Sequence, residues 1–239
     1  MSSACLAATD LHKDYPSGEG GLLHVLKGLD LKLGKGESIS ILGPSGAGKS
    51  TLLHILGGLE MPSQGTVELG DKSLFKLDDR QRSSIRNRSL GFVFQFHYLL
   101  AEFTALENVS MPLRIRGEEP EDANKAATAI LAEVGLARRL SHKPAQLSGG
   151  EQQRVAVARS LVHQPDFVLA DEPTGNLDKD NSRLVTELLF EQIDKRRMGF
   201  VLVTHDEVLA ELTKTSYHLG EGKLKSISHR KEGTRDEVR

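Results

Sequence analysis

Three short stretches carry residue types that could do chemistry together. The first, Gly43-Pro44-Ser45-Gly46-Ala47-Gly48-Lys49-Ser50, fits the pattern G-x-x-x-x-G-K-[ST]. Its glycines let the backbone curl so that successive N–H groups point inward at phosphate oxygens. A helix opening at its end adds a positive N-terminus. Lys49 would bring a compact positive charge to the β- and γ-phosphates, and the Ser50 hydroxyl can ligate Mg²⁺. The bland alternative is a glycine-rich turn with no ligand, and the loop alone leaves the reaction open.

The second stretch is Asp171-Glu172, directly after the apolar run Phe167–Ala170. Carboxylates at the carboxyl end of a buried strand sit where α/β folds bind ligands. One suits Mg²⁺, usually through water, and the other can orient or deprotonate an attacking water. Without the phosphate loop the same pair reads as a solvated acidic loop. The third stretch is Leu147-Ser148-Gly149-Gly150-Glu151. Ser148 and Glu151 fit a capping box. Capping does not explain two glycines in a first helical turn, where each costs about 1 kcal/mol relative to Ala. They leave bare N–H groups open to an anion, which points to a second helix N-terminus suited to phosphate.

These residues need a scaffold. Ser38–Leu42 reads as the strand feeding the phosphate loop. A helix over Thr51–Leu59 follows, with Leu52, Leu53, Leu56 and Leu59 at helical spacing and Gly57-Gly58 ending it. Leu22–Leu26, Gly65–Leu69 and Gly91–Phe94 read as further strands, with a turn at Gly34–Gly36. Phe167–Ala170 and Phe200–Val203 are continuous apolar runs, as expected of strands buried on both faces of a parallel sheet. A helix over about Asp180–Arg196 separates them and makes a strand–helix–strand crossover. Between the two sets of strands the pattern turns helical. Ala126, Ala127, Ile130, Leu131 and Val134 form one stripe with Gly135 as its cap, and Ser148–His163 reads as a helix stopped by Pro165. An aromatic stretch running to Phe103 reads as irregular.

Composition narrows the function classes. The 239 residues carry 31 Lys+Arg and 33 Asp+Glu, a net charge of −2, so no basic excess suggests nucleic acid, and none is expected as a partner. The single cysteine, Cys5, excludes an intramolecular disulfide framework. No apolar run approaches the roughly 20 residues that span a bilayer. Residues 1–10 lack the basic start and apolar segment of a signal peptide. The expectation is a soluble, cytoplasmic protein whose membrane work, if any, goes through a partner. The polar tail after Ser226 is expected to fray.

Leu147–Glu151 resembles the signature motif of ATP-binding cassette (ABC) proteins. With Gly43–Ser50, Asp171-Glu172 and His205 in this order, the resemblance covers about residues 6–225. It implies a phosphate-loop NTPase fold of the α/β class, with a mostly parallel sheet, an N-terminal antiparallel β portion and an inserted α-helical subdomain. One nucleotide-binding domain would span 1–239: an ATPase core at about 5–95 and 165–225, a helical subdomain at about 96–164, and a charged tail at 226–239.

The same resemblance implies ATP and Mg²⁺, and it assigns roles residue by residue. Gly43 through Ser50, together with Thr51, would hold the phosphates. Tyr15 would stack on adenine. Ser50, Gln95 and Asp171 would serve the metal. Glu172, His205 and Lys49 would be catalytic. Ser148, Gly149, Gly150 and Glu151 would act on the nucleotide of a second subunit, and Asp178 would lie at the interface of that homodimer. Taken singly, Tyr15 also fits a strand-edge tyrosine, Gln95 a plain polar loop residue and His205 a structural histidine. Two departures from the family pattern stand out. Glu151 replaces the Gln of many members, and Gly175-Asn176-Leu177-Asp178 replaces the commoner Ser-Ala-Leu-Asp.

The stretch Phe96-His97-Tyr98-Leu99-Leu100, then Phe103–Val109 and Met111-Pro112-Leu113, sets apolar groups beside a polar loop. Leu106, Val109 and Leu113 read as core. The aromatics fit a docking surface. This stretch and Thr174–Asp178 resemble the ATPase subunits of lipoprotein-releasing transporters of Gram-negative bacteria. That resemblance implies a peripheral ATPase on the cytoplasmic face of the inner membrane. It would power release of outer-membrane-directed lipoproteins, with transmembrane permease subunits docking near Gln95–Leu113. A macrolide- or peptide-exporter ATPase is the alternative within transport. A soluble ABC ATPase acting on DNA or ribosomes is a remote one, since the chain has one cassette and no basic excess.

Overall fold

The computed structural model describes residues 5–18 and 20–227. Strands β1 (Cys5–Pro16), β2 (Leu22–Gly34), β4 (Gln64–Leu69) and β5 (Lys72–Ser73) form an antiparallel sheet in the order β2-β1-β4-β5. Along β2, Leu29, Leu31 and Leu33 turn inward at the two-residue period of a strand with one buried face. The expected strand Leu22–Leu26 is therefore only the start of β2. β1 carries register shifts between Ala8 and Leu11 and again on to Asp14, with Asp10 at φ 46°. Such bulges bend and twist a strand.

The second sheet has the order β10-β9-β3-β8-β7-β6. Its members are β3 (Ser38–Leu42), β6 (Leu90–Phe94), β7 (Phe167–Asp171), β8 (Gly199–Val203), β9 (Thr215–Gly220) and β10 (Lys223–Ile227). The neighbours from β9 to β6 are parallel, and β10 alone runs antiparallel. Ser226, where the expected tail begins, belongs to β10; the tail beyond Ile227 lies outside the described residues.

β7 and β8 are buried on both faces, as their continuous apolar runs require. Val168, Ala170, Phe200 and Leu202 pack into a cluster with helices α3 (Ala105–Ile115), α4 (Pro120–Glu133), α5 (Gly149–Leu161) and α6 (Lys179–Arg196). Phe167, Leu169, Val201 and Val203 pack the other way, against α1 (Lys49–Leu56) and the inner face of the antiparallel sheet. α1 ends at Leu56, earlier than expected, so Leu59 falls outside it and is exposed. Gly57 is needed there, because a Cβ would come within 2.5 Å of the Phe92 ring.

Two helices arise where no periodicity announced them. α2 (Asp79–Ser89) buries none of its residues and is held at its start by an Asp78–Gln81 capping box. α3 opens with a Thr104–Glu107 box and continues through Pro112, inside the stretch that read as loop and docking surface. Asn108, 1% exposed, organises the turn before it. Its amide donates to the carbonyls of Leu100, Phe103 and Thr104 and accepts from Leu100 N at 2.8 Å. Val109 and Leu113 are core, as read, and Leu106 packs against that core half-buried. A four-residue helix, α7 (Glu207–Ala210), follows β8, N-capped by Asp206.

Candidate functional site

Four adjacent parallel strands, β3, β8, β7 and β6, deliver the chemistry at their carboxyl ends. The register sets Ile41 opposite Val203, Val203 opposite Asp171 and Asp171 opposite Phe94. The residues that come next in each strand are Leu42-Gly43, Thr204-His205, Glu172 and Gln95, so these leave the sheet at one level. Strands lie about 4.8 Å apart, so the set spans about 14 Å, the scale of a nucleotide. A cleft of about 720 Å³ opens there, lined by Tyr15, Leu23, Val25, Gly43, Pro44, Ser45, Gly46, Gly48, Lys49, Ser50, Thr51, Gln95, Asp171, Glu172 and His205. That volume suits a ligand of drug or cofactor size. Among the residues expected to hold ATP, only Ala47 stays off the wall; it packs instead against the core under the loop.

The loop itself needs its glycines. Gly48 has φ 95°, and a Cβ there would meet Val25 Cγ1 at 2.5 Å. A Cβ on Gly43 would meet the Leu219 carbonyl oxygen at 2.5 Å. Lys49 is nearly buried and reaches back across the loop, its Nζ donating to the carbonyls of Gly43 at 2.8 Å and Pro44 at 3.0 Å. The ammonium is thereby held in the mouth of the loop, beside the first turn of α1.

Asp171 and Glu172 diverge although they are adjacent. Burial pushes the Asp171 carboxyl above the usual carboxylate range; the Ser50 hydroxyl bonded to it pulls the other way, and the neighbouring Glu172 charge adds to the rise. Glu172 takes a left-handed backbone, φ 45°, and its side chain has partners of its own. Its Oε2 accepts from Thr204 Oγ1 at 3.0 Å, and its Oε1 lies 2.7 Å from His205 Nδ1. A carboxylate oxygen only accepts, so Nδ1 carries the proton and Nε2 is the outward atom of this exposed ring.

The chain on either side of Gln95 is tied down from α5. On α5, the amide of Gln153, 1% exposed, donates to Phe94 O at 3.2 Å and Pro173 O at 2.6 Å. One side chain therefore ties together the residue before Gln95 and the residue after Glu172. Beyond it, Arg159 donates to the carbonyls of His97 and Tyr98, each at 2.7 Å. At the other end of the cleft, Tyr15 pairs with Leu23 across the β1–β2 ladder. Its hydroxyl donates to Glu60 Oε1 at 2.5 Å, and Lys13 sits 4.7 Å from its ring centroid. Burial raises the Tyr15 hydroxyl above its ordinary value, and the Glu60 contact adds to this. Tyr15 is thus both a strand-edge residue and a wall of the cleft.

The glycine-rich third stretch does not line this cleft. Ser148 caps α5 and Glu151 returns the bond, donors and acceptors meeting at 3.2 and 2.9 Å. These backbone contacts, with Arg139 at 2.8 Å, hold the Glu151 carboxyl below its usual range. Gly149 is open, but Gly150 is buried, and a Cβ on it would overlap Asn181 Oδ1 and come within 2.6 Å of Cγ. Gly150 is therefore required by close helix packing as well as by any anion. Asn181 belongs to the first turn of α6, whose N-cap is Asp178. Asp178 accepts from Asn181 N at 2.9 Å and Nδ2 at 2.6 Å, and these contacts lower its carboxyl. Leu23, Val25, Glu60, Gln153 and Thr204 went unnoticed in the sequence. Only Thr204, next to His205, lay close enough to a motif to be found.

The corner formed by Ser50, Gln95 and Asp171 offers a hydroxyl, an amide oxygen and a carboxylate. All are hard oxygen donors, the set that suits Mg²⁺, which keeps several waters and takes its remaining ligands from phosphate. Among the described residues no cluster of three His, Cys, Asp or Glu side chains could hold a metal alone.

A family model described as "ABC transporter" matches residues 26–175. The chain is 52% identical over 224 residues to the "Lipoprotein-releasing system ATP-binding protein LolD" of Legionella pneumophila (strain Lens), covering 94% of this chain and 98% of that protein. It is 53% identical over 222 residues to the protein of the same name from Geobacter metallireducens, covering 93% and 98%. The fold matches the "Dimeric structure of a post-hydrolysis state of the ATP-binding cassette MJ0796 bound to ADP and Pi" with a TM-score of 0.86 at 37% identity, covering 93% of this chain and 98% of that one.

Proposed function

The chain belongs to the ABC transporter family, and from that premise we propose that it is the ATP-hydrolysing subunit of a transporter that releases outer-membrane-directed lipoproteins from the inner membrane. The convergence of the phosphate loop, Asp171, Glu172, Gln95 and His205 on one cleft carries the ATPase reading. About 50% identity over nearly the whole chain to lipoprotein-releasing ATPases carries the substrate class.

In this reading the phosphates lie against the N–H groups of Gly43–Thr51, and Lys49 exchanges its loop carbonyls for β- and γ-oxygens. Glu172, aimed by Thr204 and His205, takes a proton from a water that attacks the γ-phosphorus. The bond to the bridging oxygen breaks, leaving ADP and phosphate. Lys49 and His205 stabilise charge on the phosphoryl oxygens. Mg²⁺, held by Ser50, Gln95 and Asp171, would screen the phosphate charge.

Since Ser148, Gly149, Gly150 and Glu151 stand off their own cleft, they act on the nucleotide of a second copy, and Asp178 faces the same homodimer interface. ATP then favours the closed pair because it touches both subunits only there. Among the described residues no helix is long and apolar enough to cross a membrane. The membrane partner would dock in a groove of about 360 Å³ between α2, α3 and α5, lined by Leu59, Phe92, Phe94, Pro112 and Ile115 with Arg86 and Arg159. Phe96 and Tyr98 stand exposed in the adjoining Gln95–Leu113 stretch. The peripheral ATPase would work at the cytoplasmic face of the inner membrane.

Affinity capture of tagged protein from detergent-solubilised membranes tests this reading. Recovery of lipoprotein-releasing permeases supports it. An exporter permease keeps the ATPase chemistry and discards the lipoprotein. Ribosomes or DNA without a membrane protein overturn the transport reading.

A further inference from the structure

Gly175 and Asn176 depart together from the commoner Ser-Ala of the family, and they meet the same residue. Gln95 Nε2 donates to Asn176 Oδ1 at 3.0 Å. Asn176 Nδ2 donates back to the backbone carbonyl of Gln95 at 3.2 Å. A Cβ at position 175 would stand 3.0 Å from Gln95 Nε2, so glycine leaves room for this amide to lie flat against the loop.

The pairing has a direction that chemistry dictates. The Gln95 backbone carbonyl can only accept, so the Asn176 group facing it is the NH₂. The Asn176 oxygen is then turned to the Gln95 side chain and can only accept, so Gln95 must present its own NH₂. What remains of the Gln95 amide is Oε1, the one atom of that side chain able to ligate a hard cation. Gln95 lines the cleft. We propose that Asn176 is a positioning residue: it fixes the Gln95 amide with its oxygen free for the metal–phosphate corner of the nucleotide cleft. Alanine at 176 would supply neither bond.

The expected size follows from populations. With Asn176 absent, the Gln95 amide can face either way, which alone halves the competent fraction. The freed side chain also samples further rotamers, which lowers the fraction more. Cation affinity should therefore fall between twofold and about tenfold.

This proposal rests on the ATP-binding reading, and the experiment separates the two. Glu172→Gln protein holds ATP without turnover, and Mn²⁺ binding to its ATP complex is titrated by electron paramagnetic resonance. A fluorescent ATP analogue in EDTA reports nucleotide binding without metal. Absence of that binding in the parent sinks the ATP reading itself. With binding present, Asn176→Ala and Asn176→Ser should weaken Mn²⁺ two- to tenfold, with nucleotide affinity in EDTA and melting temperature unchanged. Gln95→Ala should weaken Mn²⁺, and adding Asn176→Ala to it should change nothing more. Unchanged Mn²⁺ affinity in both Asn176 variants overturns the proposal. So does Gln95→Ala without effect, or an Asn176→Ala shift that persists when Gln95 is already gone.

Discussion

Gly150→Ala separates a packing role from a nucleotide role within one motif. The added methyl would lie 2.6 Å from Asn181 Cγ and 3.0 Å from its Cβ, besides overlapping Oδ1. Asn181 cannot swing aside freely, because both its backbone N and its Nδ2 are bonded to Asp178. Either α5 and α6 move apart or Asn181 leaves the α6 cap. Overpacking costs about 1–3 kcal/mol, and a domain of this size loses about 2–4 °C per kcal/mol. Alanine's better helix propensity returns up to about 1 kcal/mol, so the ligand-free variant should melt up to about 8 °C below the parent in a thermal scan. Asn181→Ala, added to Gly150→Ala, removes the two closest atoms and should recover much of that loss. A glycine kept only for anion approach would give a different result. A ligand-free melting temperature about 2–4 °C above the parent, the gain alanine brings to a helix without a clash, would refute the packing argument.

Gln153→Leu removes the two donors that tie Phe94 and Pro173 together, leaving the buried Pro173 carbonyl without this donor at about 1–3 kcal/mol and the part-buried Phe94 carbonyl without it at less. Phosphate release should fall more than about tenfold, since general-base geometry is worth 10²–10⁴, while fluorescent ATP titration shows affinity little changed. Asp171→Asn should stabilise the ligand-free protein at neutral pH. The folded carboxyl sits above its unfolded value, so the native state binds more protons, and stability falls as pH rises from about 3.8 through the raised folded value. Replacing the carboxylate removes that penalty, so thermal scans between pH 4 and 7 should flatten, and Mg²⁺-dependent nucleotide binding should weaken.

How much of this was legible depended on how local the cause was. β7 and β8 were readable because two covered faces leave almost no polar position to interrupt the run, whereas β3, which buries Ser40, was readable from the phosphate loop that follows it. The phosphate loop, the acid pair and the Ser148–Glu151 cap are local in sequence, so each could be located directly. α2 was hidden because it buries no residue and so has no periodic stripe. α3 was hidden because Pro112 and a run of aromatics look like loop, although the Thr104–Glu107 box marks its start. The second layer of the site was illegible for a different reason. Glu60 reaches Tyr15, Gln153 the carbonyls of Phe94 and Pro173, and Asn176 Gln95, all from segments brought together only by the fold. The Gly-Asn variant was visible as a departure, but its partner was not.

The most direct test of the central claim is the solution mass of Glu172→Gln protein by light scattering, with and without Mg²⁺–ATP. The account predicts a monomer without nucleotide and twice that mass with it, as ATP held at Gly43–Ser50 of one copy meets Ser148–Gly150 of the other. A protein that binds ATP to saturation and remains monomeric would contradict it.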